Sequence, residues 1–134
     1  AYEPTNNRSQ LKQTADNTLI IDAYNANPTS MKEALSNFAA LPGTPKAVIL
    51  GDMFELGPES DRLHEEIVRL LQQAQFDRVC LCGPHFQKVA GKVFTTYPTT
   101  EALLEALREE PLKGYTILIK GSHSMHLEKV ADRL

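Results

Sequence analysis

Ala47-Val48-Ile49-Leu50-Gly51-Asp52-Met53-Phe54-Glu55-Leu56-Gly57-Pro58 is the stretch from which the rest of the chain can be read. Its first four residues are apolar without interruption, so the strand they form has no face to offer to water and needs cover on both sides. Helical periodicity flanks it. Upstream, Met31, Ala34, Leu35, Phe38 and Ala39 recur at helical spacing. Pro28 and Thr29 suit a first turn and Pro42-Gly43 a stop, which predicts a helix over roughly residues 29 to 41. Downstream, Leu63, Ile67, Leu70, Leu71 and Ala74 make the stripe of a second helix, which Ser60 or Asp61 could cap.

Working outward, Val79-Cys80-Leu81-Cys82 is the next strand, and Gly83-Pro84 opens a short helix ending at Gly91. A strand over Val93 to Tyr97 and a helix over Thr99 to Glu110, apolar at Leu103, Leu104 and Leu107, follow. Tyr115 to Lys120 closes the sheet, and a final helix from about residue 125 carries Leu127, Val130, Ala131 and Leu134. At the other end, Arg8 to Gln13 and Thr18 to Asp22 flank the turn-rich Thr14-Ala15-Asp16-Asn17, an opening hairpin. Alternating strands and helices imply a doubly wound, Rossmann-like α/β fold. Its sheet is mostly parallel, with one antiparallel strand from the N-terminal hairpin.

The chain has 134 residues, the size of one domain, and is 42% hydrophobic and 23% charged, ordinary for a globular protein. Fourteen basic against seventeen acidic residues give a net charge of -3, the wrong sign for a protein that coats nucleic acid. No apolar run approaches the roughly 20 residues of a membrane span. Cys80 and Cys82, two apart in one strand, point to one face, which favours buried thiols in a reducing cytosol over a disulfide or a metal site. The start at Ala1 without a charged-then-apolar leader reads as an excised domain with no signal peptide.

In such sheets ligands gather outside the carboxyl ends of the strands, so the loops after residues 22, 50, 82, 97 and 120 matter most. Asp22-Ala23-Tyr24-Asn25-Ala26-Asn27-Pro28 precedes a helix, whose free N–H groups welcome an anion. Asn25 and Asn27 either read a base or sugar there or only cap and turn. Asp22, at a strand tip, could take ribose hydroxyls. Gly51 to Pro58 brackets two carboxylates and two large apolar side chains, Met53 and Phe54, which a purely structural turn would seldom expose. Lys120-Gly121-Ser122-His123-Ser124-Met125 offers a cation, two hydroxyls and an imidazole, although Ser122 or Ser124 could simply cap a helix. No glycine-rich phosphate loop is present, and the four histidines, His64, His85, His123 and His126, lack the spacing of a closed metal site.

Asn7-Arg8-Ser9-Gln10, then Asp22 to Pro28 with Ser30-Met31, then Gly51 to Gly57 with His64-Glu65, then Ile119 to Met125, together resemble the C-terminal domain of a Mur ligase. The likeness is to the branch carrying Y-N-A-N-P, G-D-M-x-E-L-G and K-G-S-x-S-M in that order, and it covers nearly the whole chain. One departure is Ile21, where relatives often have an additional Asp. The resemblance implies a bacterial, cytoplasmic, three-domain enzyme of peptidoglycan synthesis in which residues 1–134 are the C-terminal domain. ATP would activate a UDP-N-acetylmuramoyl-tripeptide as an acyl phosphate for attack by the amine of D-alanyl-D-alanine. The absent central domain would hold most of the Mg. By the same analogy, Arg8, Asp22, Tyr24, Asn25 and Asn27 would serve ATP, while Asp52, Lys120, Ser122, His123 and Ser124 would face the dipeptide or the phosphates. The isolated domain would be inactive.

A different class is a phosphoreceiver-like signalling module, in which Asp22, Asp52 and Lys120 form an acidic pocket able to hold Mg. Ile21 sits where such a module usually needs a second adjacent acid. A third reading is a stand-alone binding domain with no reaction of its own.

Overall fold

The computed structural model describes residues 9–23, 25–43 and 45–134. Six strands form one sheet: β1 (Gln10–Gln13), β2 (Thr18–Asp22), β3 (Lys46–Gly51), β4 (Arg78–Cys82), β5 (Thr95–Tyr97) and β6 (Thr116–Lys120). Their spatial order is β1-β2-β6-β3-β4-β5. Only the β1–β2 hairpin pair is antiparallel, and the other four pairings are parallel. This is the doubly wound sheet with one antiparallel strand that the alternation of elements predicts.

The connecting helices are α1 (Pro28–Ala40), α2 (Ser60–Ala74), α3 (Pro84–Ala90) and α4 (Thr100–Glu109). Met31, Leu35 and Phe38 of α1, Ile67, Val68 and Leu71 of α2, and Phe86 and Ala90 of α3 pack with Val48, Leu50, Leu81 and Leu118 on one face. Leu103 and Leu107 of α4 join Leu127, Val130, Ala131 and Leu134 against Ile49, Cys80, Cys82, Ile117 and Ile119 on the other. Alternate residues of β3 therefore serve opposite cores, which is why that strand carries no polar residue between Ala47 and Leu50. Cys80 and Cys82 share one face and are free thiols. Among the described residues no helix is long and apolar enough to cross a membrane.

The sheet order places two points where consecutive loops leave for opposite faces. The chain runs from β2 through α1 to β3, skipping the slot that β6 fills last. The loop after β6 turns to the face of α4, while its neighbours after β2 and β3 turn to the face of α1 and α2. A crevice between such diverging loops is where ligands settle in this fold class.

Three local expectations are corrected. The final helix is absent as an α-helix: His123–Met125 and Leu127–Arg133 are 3-10 turns, broken at His126, whose φ of 54° is left-handed. Met53 is fully buried, so of the two large apolar side chains Phe54 alone, 38% exposed, reaches solvent. Neither Ser60 nor Asp61 caps α2, because a 3-10 turn over Gly57–Glu59 leads straight into it.

Candidate functional site

At the tip of β2 and β6, Asp22 and Lys120 are register partners on adjacent strands. The Lys120 ammonium donates to Asp22 Oδ2 at 2.8 Å and to the Asn25 carbonyl at 3.0 Å. Lys120 is only 3% exposed and Asp22 15%. One more turn of chain brings Asn27, whose Oδ1 accepts the Ser30 N–H at 2.8 Å while Ser30 Oγ accepts the Asn27 N–H at 3.1 Å. This reciprocal box starts α1. Of the two readings of the asparagines, Asn27 performs the capping one with its oxygen, whereas Asn25 is exposed and contributes its backbone carbonyl. Arg8 and Tyr24, read from sequence as ATP contacts, lie outside the described residues.

The loop after β3 is tied inward. Asp52 is fully buried, and its two carboxylate oxygens accept the N–H groups of His85 at 2.8 Å and Phe86 at 2.9 Å, in the first turn of α3. A negative charge there satisfies donors that a short helix leaves unpaired. The Asp52 N–H in turn donates to the Cys82 carbonyl at 3.1 Å, and the Asp52 carbonyl accepts Ser122 Oγ–H at 2.9 Å. One residue thus links the tips of β3, β4 and β6.

His64 sits beside it, fully buried on the same helical stripe as Ile67 and Leu71. Its Nε2 accepts the Met53 N–H at 3.1 Å. Because a backbone N–H can only donate, the ring proton resides on Nδ1, which donates to the Ser60 carbonyl at 2.8 Å. The ring is held neutral: burial lowers its pKa below 6.5, opposed by the Ser60 carbonyl and by Asp52, 3.9 Å from Nε2. His85 stacks on it at 5.1 Å between centroids, and Phe86 meets it edge-on at 4.7 Å. Sequence reading counted His64 among four histidines without metal spacing and, as His64-Glu65, among the residues of the Mur ligase resemblance, but gave it no role. The available signal was its place on the apolar stripe, where a polar ring needs partners.

After β6, the chain passes so close to β3 that a Cβ at Gly121 would lie 3.1 Å from Gly51 Cα, and Leu127 packs on both glycines, 2.6 Å from a Cβ at Gly121 and 2.9 Å from one at Gly51. His123 and Ser124 are exposed. Ser124 borders a hollow of about 200 Å³ with Thr99, Thr100, Glu101, Met125 and His126. Ser122 is directed back to Asp52, so the two serines of this loop are not equivalent.

Asp22, Lys120 and the Asn25 carbonyl are therefore joined at the tips of β2 and β6, with Asn27 two residues further on at the cap of α1, whereas Asp52 is withdrawn beneath the surface. The acidic pocket of the phosphoreceiver alternative does not form, since Asp52 is closed to solvent and both its oxygens are engaged by α3. At these tips Asp22 Oδ2 accepts from the Lys120 ammonium. Among the described residues no group of three or more His, Cys, Asp or Glu could hold a metal ion.

Comparison with known proteins places this arrangement. Residues 7–123 match the family described as Mur ligase, glutamate ligase domain. The chain is 34% identical to the UDP-N-acetylmuramoyl-tripeptide--D-alanyl-D-alanine ligase of Rickettsia prowazekii, over 96% of this chain and 30% of that protein. It is 36% identical to the enzyme of the same name from Bacillus subtilis, over 92% of this chain and 29% of that one. The crystal structure of the MurF ligase from Thermotoga maritima in complex with ADP shares the fold, with a TM-score of 0.78 and 23% identity, over 99% of this chain and 31% of that one. The chain spans about 30% of the length of the curated relatives it matches. It belongs to the Mur ligase family, of which it carries the glutamate ligase domain.

Proposed function

We propose that this chain is the C-terminal domain of a three-domain bacterial, cytoplasmic ligase that joins D-alanyl-D-alanine to a UDP-N-acetylmuramoyl-tripeptide in cell-wall precursor synthesis. The observation that carries this reading is the identity of 34–36% to two ligases of that name over more than nine-tenths of the chain. ATP phosphorylates the terminal carboxylate of the tripeptide and leaves as ADP. The dipeptide amine then attacks the acyl carbon and displaces phosphate. An acyl phosphate is lost to water unless the site is closed, and a domain that swings over it supplies closure.

In this reading the crevice between β2 and β6 faces the nucleotide. Asp22 offers a carboxylate oxygen to the ribose and Asn25 stands beside it, while Arg8 and Tyr24, outside the described residues, are assigned to ATP by the family resemblance alone. His123 and Ser124, exposed on the loop after β6, face the dipeptide or the phosphates; Lys120, Ser122 and Asp52 build the loops that carry them. Mg belongs to the central domain.

The test is ADP release by the full-length enzyme supplied with ATP, Mg, UDP-N-acetylmuramoyl-tripeptide and D-alanyl-D-alanine. Release that depends on the dipeptide supports the reading, and release indifferent to it overturns it. The 134-residue chain alone, lacking a phosphate loop, releases no ADP; ligation by it would contradict the domain assignment.

A further inference from the structure

The ammonium of Lys120 crosses the very crevice where ligand is expected, yet it is turned inward. It spans from β6 to Asp22 at 2.8 Å and to the Asn25 carbonyl at 3.0 Å, at 3% exposure. An ammonium has three donors, so two are spent within the protein. Gripping a phosphate would require Lys120 to leave its buried position and abandon the partly buried carboxylate of Asp22. Removing one partner of a buried pair is strongly unfavourable, whereas the intact pair is tolerated because its charges are mutually satisfied.

What the pair joins is informative. The loops after β2 and β6 depart to opposite faces of the sheet, so nothing in the backbone ladder holds them together beyond Asp22 and Lys120 themselves. Lys120 reaches past the end of the ladder to the Asn25 carbonyl, two residues before the cap of α1. Asp22, five times as exposed as Lys120, is the member of the pair that a ligand can reach.

We infer that Lys120 is a positioning residue: it pins the loop of residues 22 to 27 so that Asp22 and the start of α1 face the nucleotide, and it touches no substrate itself. This rests on the ligase reading for what the loop binds, but the pinning is a property of this chain.

The experiment uses the full-length ligase with Lys120→Met, Lys120→Arg, Asp22→Asn, and each Lys120 variant combined with Asp22→Asn. Steady-state KM for ATP and for D-alanyl-D-alanine is measured together with amide hydrogen exchange. A positioning role predicts that Lys120→Met raises the ATP KM roughly tenfold in the wild-type background and less than about threefold once Asp22 is neutral, because contacting residues are non-additive. Exchange across residues 23 to 31 should quicken while that across 52 to 57 stays unchanged. Equal, additive losses in both backgrounds with unaltered exchange would mean that Lys120 contacts ligand directly, and the inference would fall. If Lys120→Met is recovered unfolded, Lys120→Arg, which keeps the charge and changes the reach, is judged by the same two criteria. Wild-type enzyme whose ADP release ignores the dipeptide would defeat the ligase reading alone, since the exchange comparison still decides whether Lys120 pins the loop.

Discussion

Gly83 and Asp52 are in contact so close that a Cβ on Gly83 would lie 2.4 Å from the Asp52 carboxyl carbon. Gly83 also has φ of 115° and ψ of 156°, a region that residues with a side chain scarcely enter. Gly83→Ala therefore suffers both overlap and backbone strain, about 1–3 kcal/mol for each. Asp52→Ala strands the His85 and Phe86 N–H groups, at about 1–3 kcal/mol per donor. Thermal melts should show both variants destabilised by several degrees. An unshifted melting temperature for Asp52→Ala would contradict the anchoring role.

His64 makes the molecule sensitive to acid. Burial holds its folded-state pKa below 6.5, so the unfolded chain takes up the proton first as pH falls. Stability from this group is fully present above pH 6.5 and is lost as pH drops toward the lower folded value. Protonation also removes the acceptor for the Met53 N–H. A stability profile between about pH 8 and 5 should therefore fall more steeply for wild type than for His64→Gln. Parallel profiles would rule this out.

Cys82 behaves in the opposite sense. Burial pushes its thiol from 9.0 up to about 11, partly countered by Thr100. The unfolded chain ionises first on the alkaline side, so the contribution is whole below pH 9.0 and is lost as pH climbs toward about 11. In native protein at pH 8 neither Cys80 nor Cys82 should react with an alkylating reagent before unfolding. Prompt labelling of either thiol would show that the core opens there.

Ser122 and Ser124 should separate cleanly. Ser122 Oγ donates to the Asp52 carbonyl, so Ser122→Ala loses about 0.5–1.5 kcal/mol of stability, with little effect on relative substrate affinities. Ser124 is exposed, so Ser124→Ala leaves the melting temperature alone and raises the KM for D-alanyl-D-alanine if that loop faces the dipeptide. A Ser124→Ala enzyme with wild-type dipeptide KM would remove this serine from the site.

Asn17 holds the hairpin to the rest of the chain. Its Nδ2 donates to the Leu112 and Leu134 carbonyls at 2.8 Å each, and its Oδ1 accepts the Tyr115 N–H at 3.0 Å. Asn17→Ala leaves these groups unpaired in a buried site and should cost about 2–5 kcal/mol in a chemical denaturation series. A loss below about 0.5 kcal/mol would mean that water takes over these bonds.

Periodicity revealed the fold because it is local. The apolar run from Ala47 to Leu50 and the stripe through Ile67 and Leu71 report burial through spacing alone. Side-chain direction at the strand tips is set by contacts far along the chain, and there sequence reasoning was weaker. Asp52 resembles a ligand-facing acid until the first turn of α3, 33 residues away, is seen to face it. Met53 looks like an exposed apolar residue until α2 folds over it. Asn17 reads as a turn residue because its partners lie 95 and 117 residues downstream. The last segment misled for another reason: Leu127, Val130, Ala131 and Leu134 have the spacing of an α-helical stripe, yet they reach one core from a 3-10 segment that starts at the left-handed His126, which the spacing does not show.

The position of β6 bears on how the chain reaches this state. β6, the latest of the described strands in chain order, lies between β2 and β3 and alone among them joins the hairpin to the three strands beyond it. Until residues 116 to 120 emerge, the first two strands can fold only as an isolated ribbon, which is marginal in water. Completion of the sheet is thus a long-range event that pairs residues 98 apart, the kind of topology that folds slowly. The nascent polypeptide must shield the exposed edges of β2 and β3 until residues 116 to 120 arrive to fill the gap.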